Sequence, residues 1–391
     1  MTDGWQTKQI GELCDVLDYK RKPITKRDRI VGDYPYYGAT GVLGHVEGYL
    51  FDEPLVLVGE DGAKWESGEN TAYAVEGKIW VNNHAHVLRP HRTRLLDKWL
   101  IYHLNHSDLT EFVSGLTVPK LNQGSLREIP VPLPPLPEQQ RIVGILDKAF
   151  DGIATAKSNA EKNLQNARAL FESHLQAVFT QRGKGWVEKR LGEVCDLQNG
   201  YAFKSSDYIE SSNTLNIRMS NIRPGGSFDS EHNQIFLPDS YAKNYAAFLL
   251  KEGDLIIAMT DMAGDPKILG VPTLVSNQNG RNFLMNQRVG KLFGFSDDVR
   301  VPYLRYYLTS PSIKQFYKSK GAGGLQINIS KGDILSANIP LPTIAIQNRI
   351  VDQLDSLNEE TQRLTTLYQH KLDALEALKQ SLLHEAFAGH L

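Results

Sequence analysis

The sequence predicts an α+β protein: two mixed α/β domains held apart by two long helices that pair as an antiparallel coiled coil, with a pseudo-two-fold internal repeat. Three observations carry this. A segment near the start recurs in mid-chain, a proline-to-arginine motif recurs ahead of each long heptad-patterned run, and short strand-like runs separated by turn residues fill the intervals.

The repeat is explicit. Gly4-Trp5-Gln6-Thr7-Lys8-Gln9-Ile10-Gly11-Glu12-Leu13-Cys14-Asp15 returns as Gly185-Trp186-Val187-Glu188-Lys189-Arg190-Leu191-Gly192-Glu193-Val194-Cys195-Asp196, an offset of 181. Leu133-Pro134, Arg141-Ile142-Val143 and Leu146-Asp147 return as Leu341-Pro342, Arg349-Ile350-Val351 and Leu354-Asp355, an offset of 208 that also links Phe179 to Phe387. The helices therefore match without a gap, and the second globular part carries 27 extra residues. The predicted order is a domain over 1–137, a spacer helix over 138–183, a second domain over 184–345 and a second helix over 346–391.

In the first domain, strand-like runs fall at Leu55-Val56-Leu57-Val58 and Ile79-Trp80-Val81, with a short helix over 95–105. Pro-rich links at 129–137 and 339–343 are expected to be extended and to deliver the chain to each long helix. Pro137 suits a first-turn position, Thr343 an N-cap, and Gly183 and Gly389 the C-terminal stops. The first seam is read at Ile142, Ile145, Leu146, Ala149, Ile153, Ala156, Ala160, Leu164, Ala167, Leu170, Leu175 and Val178. The second domain shows strands at Leu255-Ile256-Ile257-Ala258 and Val289-Gly290-Lys291-Leu292 and a helix over 302–308. The second seam is read at Ile350, Leu354, Leu357, Leu364, Leu367, Leu372, Leu375, Leu378, Leu382 and Ala386. Small residues on one seam facing Leu on the other favour pairing within the chain, so no homodimer is required. A helix of about 42 residues rises roughly 63 Å, and the connectivity sends the second helix back along the first.

Composition bounds the function. The chain has 391 residues, 41% hydrophobic and 23% charged, which fits a soluble protein of two or three domains. No apolar run is long enough to cross a membrane, and Met-Thr-Asp-Gly-Trp has no secretory pattern, so a cytoplasmic location is expected. The two cysteines, Cys14 and Cys195, hold equivalent repeat positions and are expected in two separate cores. A formal net charge of −2 lacks the global basic bias of a chain that binds nucleic acid unaided.

Leu133-Pro134-Pro135-Leu136-Pro137-Glu138-Gln139-Gln140-Arg141-Ile142-Val143 before a long helix, its echo from Leu341-Pro342 to Arg349-Ile350-Val351, and Gln198-Asn199-Gly200-Tyr201-Ala202-Phe203-Lys204 together resemble the DNA-specificity subunit of a type I restriction–modification system. The second motif departs from the first at Thr343, Ala345 and Ile346. The resemblance spans the whole chain as two target-recognition domains and two spacer helices. It implies recognition of an asymmetric bipartite site on double-stranded DNA, one half per domain. It also implies two methyltransferase subunits as partners, together with restriction/translocase subunits. S-adenosylmethionine, ATP and Mg are then expected on those partners, with no cofactor in this chain. Helix length would set the unread spacer: four residues added to each helix lengthen it by roughly 6 Å, or about two base pairs.

Base reading in the major groove uses Arg or Lys on guanine and Asn or Gln on adenine. Polar residues on turns supply the candidates. In the first domain they are Lys20, Arg21, Lys22, Tyr37, Thr40, Lys64, Trp65, Asn83 and Lys120. In the second they are Lys204, Ser206, Arg218, Asn221, Thr260, Lys267, Arg281, Gln287 and Arg288. Arg223, Asn282 and the turns Asn82-Asn83-His84 and Asn286-Gln287-Arg288 belong with them. Lys64, Lys204 and Arg288 adjoin Gly-rich turns and rank first.

Other motifs weigh less. His84-Ala85-His86 lacks a third metal ligand and is read as structural. Glu60, Asp61 and Lys64 outline a hydrolytic site only superficially, and Gly321-Ala322-Gly323-Gly324 has no Lys-Ser/Thr after it. The single Pro-Pro pair follows Leu133, not the Asn of an adenine methyltransferase motif, so the chain is expected to be non-catalytic. The competing function is a coiled-coil scaffold that joins two protein-binding domains and does not touch DNA.

Overall fold

The computed structural model describes residues 4–115, 117–183, 185–277 and 279–391. Lys184, in the link ahead of the second domain, lies outside the described residues. The chain divides into two compact units, Met1–Lys162 with Tyr368–Leu391, and Asn163–Leu367. The long helices run Leu136–Thr180 and Ile344–Ala388, and each contributes residues to both units. The fold is α+β, two sheet-rich units and two long helices, as the sequence predicts.

The units share one strand plan. In the first, one antiparallel sheet has the order Cys14–Val16, Ala85–Pro90, Leu55–Gly59, Ala72–Val75. A second has the order Gly41–Val46, Tyr34–Gly38, Lys78–Val81, Phe51–Asp52, its central pair parallel. The other unit repeats both orders: Asp196–Asn199, Val289–Phe293, Leu255–Ala258, Pro272–Leu274, and Phe236–Leu237, Thr214–Ile217, Asn282–Met285, Leu249–Leu250. All four strand-like runs read from the sequence are strands. Where the first unit turns through Ala39 and Thr40, the second runs from Arg218 to Ile235 before its next strand.

The proline-rich links are strands, not free extended segments. Pro130–Leu133 pairs antiparallel with Gln6–Gln9, and Asn338–Leu341 with Val187–Arg190, so the recurring N-terminal segment and the recurring proline segment are partners. Prolines at alternate positions need no ladder donor on the outer side of a two-stranded ribbon. The outward carbonyls are capped instead. Trp99 donates its indole N–H to Pro132 at 2.8 Å, and His103 meets the Pro130 carbonyl at 2.8 Å. In the second unit Tyr303 and Tyr307 donate their hydroxyls to Pro340 and Asn338.

The helix ends lock into these cores. Gln139, fully buried, accepts the Leu96 amide at 2.9 Å and donates to the Arg94 and Pro134 carbonyls, both at 2.8 Å. Gln347 does the same with Arg300, Asp298 and Pro342. Tyr102 donates to Asp147, and Tyr306 to Asp355. Phe387 lies 4.8 Å from the Trp99 ring and 5.2 Å from His103, while Phe179 lies 5.6 Å from Tyr303 and 5.0 Å from Tyr307. In each unit the aromatic plug thus comes from the end of one helix, and the buried glutamine from the start of the other. In the first unit the two helices run antiparallel: Arg141 meets the Leu391 carbonyl and Lys157 meets Glu376 at 3.7 Å.

The seam departs from the predicted one. Ile145, Leu170, Leu367 and Leu378 are exposed, while Val143, Phe179 and Leu383 are buried. An α-helix drifts about 20° per heptad from a strict seven-residue repeat, and the helix ends turn toward a domain as well as toward each other. Pro137 lies in the first turn and Thr343 directly precedes Ile344, as predicted. Gly389, at φ 73°, takes the left-handed conformation just past Ala388. Cys14 and Cys195 are free and buried in separate cores, where burial pushes each thiol up to about 12.

Candidate nucleic-acid interface

Both units present polar residues at one place, the end of the parallel strand pair. In the first unit Tyr37 pairs with Val81 as the last step of that pair, and the chain then turns through Asn82, Asn83 and His84. Asn82 is buried, and its side-chain oxygen accepts the His84 amide at 2.8 Å, which closes the turn and leaves Asn83 and His84 exposed. Lys22 joins this edge, its amide on the Val81 carbonyl at 3.2 Å. Lys22 and Thr40 are exposed beside it, Lys20 is exposed two residues before Lys22, and Tyr37 is half-buried, its ring 6.0 Å from Tyr73.

In the second unit Ile217 pairs with Met285, and the turn is Asn286, Gln287 and Arg288. Tyr201 continues the sheet, with its amide on the Met285 carbonyl at 2.9 Å and its carbonyl taking the Gln287 amide at 2.9 Å. Gly200 makes this approach possible, because a Cβ there would sit 2.1 Å from the Asn286 carbonyl oxygen. Gln287 and Arg288 are exposed along this edge, Lys204 and Ser206 are exposed in the segment that follows Tyr201, and Arg218 extends the neighbouring strand. Asn216 Oδ1, Arg218 Nε and Ser220 Oγ are buried atoms without a protein partner among the described residues. Lys204, Arg218 and Arg288 have no carboxylate within salt-bridge distance among the described residues, whereas Lys267 pairs with Asp265 at 3.4 Å and Arg281 with Glu231 at 3.4 Å. Cations without acidic partners are the ones able to meet phosphate or guanine without first breaking an ion pair.

Several candidates lie elsewhere. Trp65 is a core residue, its indole N–H on the Gly59 carbonyl at 3.2 Å. Thr260 is 2% exposed with its hydroxyl on Asn328 at 2.6 Å, and Asn221 is 2% exposed with its amide on the Asp229 and His232 carbonyls. These three are corrected to structural roles, since each side chain is spent on internal bonds. Arg281 precedes the strand Asn282–Met285 and so sits at the end remote from Gln287. Lys64 pairs with Glu69 at 3.1 Å, away from Glu60, so the superficial carboxylate–lysine grouping is not assembled.

Arg21 and Lys120 belong to a buried charge knot that the sequence hid. Arg21 bridges Asp18 at 3.3 Å and Glu60, and Lys120 meets Glu60 at 2.7 Å. His86, fully buried, joins Asp18 at 2.6 Å and the Leu121 carbonyl at 2.7 Å, and Gln123 donates to Asp18 at 3.0 Å. Burial by itself raises Asp18, but the His86 bond and charge, the Val87 amide and Arg21 outweigh it and hold the carboxyl below its ordinary range. Glu60 is likewise held low, by Lys120 and Arg21 against its burial. Asp18, Glu60 and His86 are the one group among the described residues spaced to hold a metal ion. Their ligand atoms are already satisfied by two cationic side chains and by amide donors, so the donor set suits an internal ion-pair network better than a cation. His84 instead faces Asp61 at the surface.

The sequence matches the model of the type I restriction modification DNA specificity domain over residues 2–165 and 183–376. A putative type I restriction enzyme specificity subunit of Haemophilus influenzae is 36% identical over 140 residues, 36% of each chain. The MjaVIII specificity subunit of Methanocaldococcus jannaschii is 23% identical over 409 residues, covering 100% of this chain and 93% of its own. Two solved chains share the fold. One, from work on complex assembly and conformational transition of the type I R-M system, has TM-score 0.73 at 20% identity and covers 100% of this chain and 99% of its own. The other, the HsdS subunit of Thermoanaerobacter tengcongensis, has TM-score 0.56 at 20% identity, with 100% and 98% covered. With two sheet-rich units of one plan, a polar edge on each and a family match over most of its length, the chain belongs to the type I restriction–modification DNA specificity family.

Proposed function

We propose that this chain reads an asymmetric bipartite site on double-stranded DNA, one half per unit. In this reading it directs two methyltransferase subunits and the restriction/translocase subunits to that site. The observation that carries the reading is the shared strand plan, which ends in both units on the same kind of exposed polar edge but with different side chains. A common scaffold with unlike readers suits two unlike half-sites. The long helices then act as the ruler for the unread spacer. The chain itself is non-catalytic and cytoplasmic, and S-adenosylmethionine, ATP and Mg belong to its partners. The near-neutral charge fits a subunit that encloses DNA only together with them.

Methylome sequencing of cells that express this chain with its methyltransferase tests the reading. The expected result is a new methyladenine motif in two unequal halves separated by unread bases. No new motif, with the complex shown to be assembled, would move the function to a scaffold that joins proteins without touching DNA.

A further inference from the structure

The two sheet-end turns are the same object built twice. The Asn82 amide bonds the Tyr37 carbonyl at 3.0 Å, and the Asn286 amide bonds Ile217 at 2.9 Å. Each Asn side chain then accepts the amide two residues on, from His84 at 2.8 Å and from Arg288 at 3.2 Å. The last carbonyl of each turn receives the next strand's continuation, Glu60 on His84 and Met259 on Arg288, both at 2.9 Å. Glu60 and Met259 are in turn matched by the amides of Leu121 and Ile329, at 2.8 and 2.9 Å, which aligns Asp61 with Thr260. The buried parts of the turn are thus alike, and only the outward residues differ.

The difference has chemical content. In the first unit the outward pair is Asn83 and His84, with His84 on Asp61. In the second it is Gln287 and Arg288. The residue that takes the place of Asp61 is Thr260, turned inward onto Asn328, and Arg288 has no carboxylate within salt-bridge distance among the described residues. A carboxamide beside a free guanidinium offers the adenine and guanine pairings of the major groove, and a carboxamide beside an imidazole offers a different set.

We propose that these outward residues, Asn83 with His84 and Gln287 with Arg288, are specificity-determining positions, each pair setting bases in one half-site only. This rests on the DNA-reading function above. The test is to exchange the pairs in the full complex, since each pair is already carried by an equivalent turn. One variant is Gln287→Asn with Arg288→His; the other is Asn83→Gln with His84→Arg. Both are co-expressed with the methyltransferase, assembly is checked by co-purification, and the methylomes are sequenced beside the wild type. The first exchange is expected to alter or relax one half of the motif and the second the other half. Methylation of the original motif should fall on the order of ten- to a hundredfold. Unchanged motifs in both variants overturn the assignment while leaving the wild-type motif, and so the DNA-reading function, standing. A changed base preference in the half-site of the unit that was not exchanged also overturns it, because each pair is assigned to its own half alone. A wild-type complex with no bipartite motif defeats the DNA-reading function itself.

Discussion

The side chain of Gln139 accepts the backbone amide of Leu96 at 2.9 Å from a fully buried position, and so welds the first turn of the long helix to the start of a domain helix. Its other two bonds go to the Arg94 and Pro134 carbonyls. Replacing Gln139 by Leu strands one donor and two acceptors, and a cost of about 3 kcal/mol is expected. Gln347→Leu should cost a similar amount in the other unit. Urea denaturation of each variant measures this, and a loss under about 0.5 kcal/mol would show that water replaces the carboxamide freely.

Phe179 is 3% exposed between Tyr303 and Tyr307. Phe179→Ala removes a full aromatic plug, and a loss of about 3–5 kcal/mol is expected, confined to unit Asn163–Leu367. Phe387→Ala, at a partly buried site, should cost less and affect the other unit. Hydrogen exchange resolved by segment reports which unit opens. Equal loosening of both units by either variant would contradict the assignment.

His103 gives the first unit an acid sensitivity that its counterpart lacks. Burial pushes the imidazole down from 6.5 to about 4, against the Pro130 bond that raises it. Between those values the unfolded chain holds the extra proton, so stability falls as pH drops from about 6.5 toward 4. The counterpart Tyr307 makes its bond through a hydroxyl that does not titrate there. His103→Tyr should therefore flatten this part of the melting-temperature profile against pH. Parallel profiles for variant and wild type would sink the idea.

The cations near Lys22 divide by role. Arg21→Ala leaves Asp18 and Glu60 short of a buried partner and should cost about 3–5 kcal/mol of stability. Lys20→Ala and Lys22→Ala, both exposed, should leave melting unchanged and weaken DNA binding by the complex. Each should lower the slope of affinity against salt by about one ion. Fluorescence anisotropy over a salt series distinguishes the two groups. A normal slope in Lys22→Ala would remove that residue from the phosphate contacts.

Much of the architecture is written in local pattern. The apolar strand runs and the long heptads express periodicities readable within a short window, and the repeat of Gly4-Trp5 as Gly185-Trp186 shows on comparing the chain with itself. What escaped depends on partners far apart in sequence. Asp18 and His86 meet across 68 residues, and Arg21 reaches Glu60 across 39. Trp65 reads as a turn residue able to reach DNA because Gly62, Lys64 and Gly68 lie around it. Its destination, the Gly59 carbonyl, is set by the bend of the loop. The equivalence of Trp99 with Tyr303, and of His103 with Tyr307, was invisible because the same bond to a strand carbonyl is made by unlike side chains. At the candidate interface, Gln287 and Arg288 were legible as residue types. Which turns are equivalent required the hydrogen bonds.

The two units also differ in when they can be finished. Unit Asn163–Leu367 is one unbroken stretch of chain, while the other needs Tyr368–Leu391 to supply Leu383, Ala386 and Phe387. On the ribosome the second unit can close as soon as its own residues emerge. The first, although made earlier, lacks the Phe387 ring against Trp99 and His103 until synthesis has passed through the other. The order of completion is the reverse of the order of translation, and the half-built first unit is the stretch most exposed to proteases and chaperones while the chain is being made.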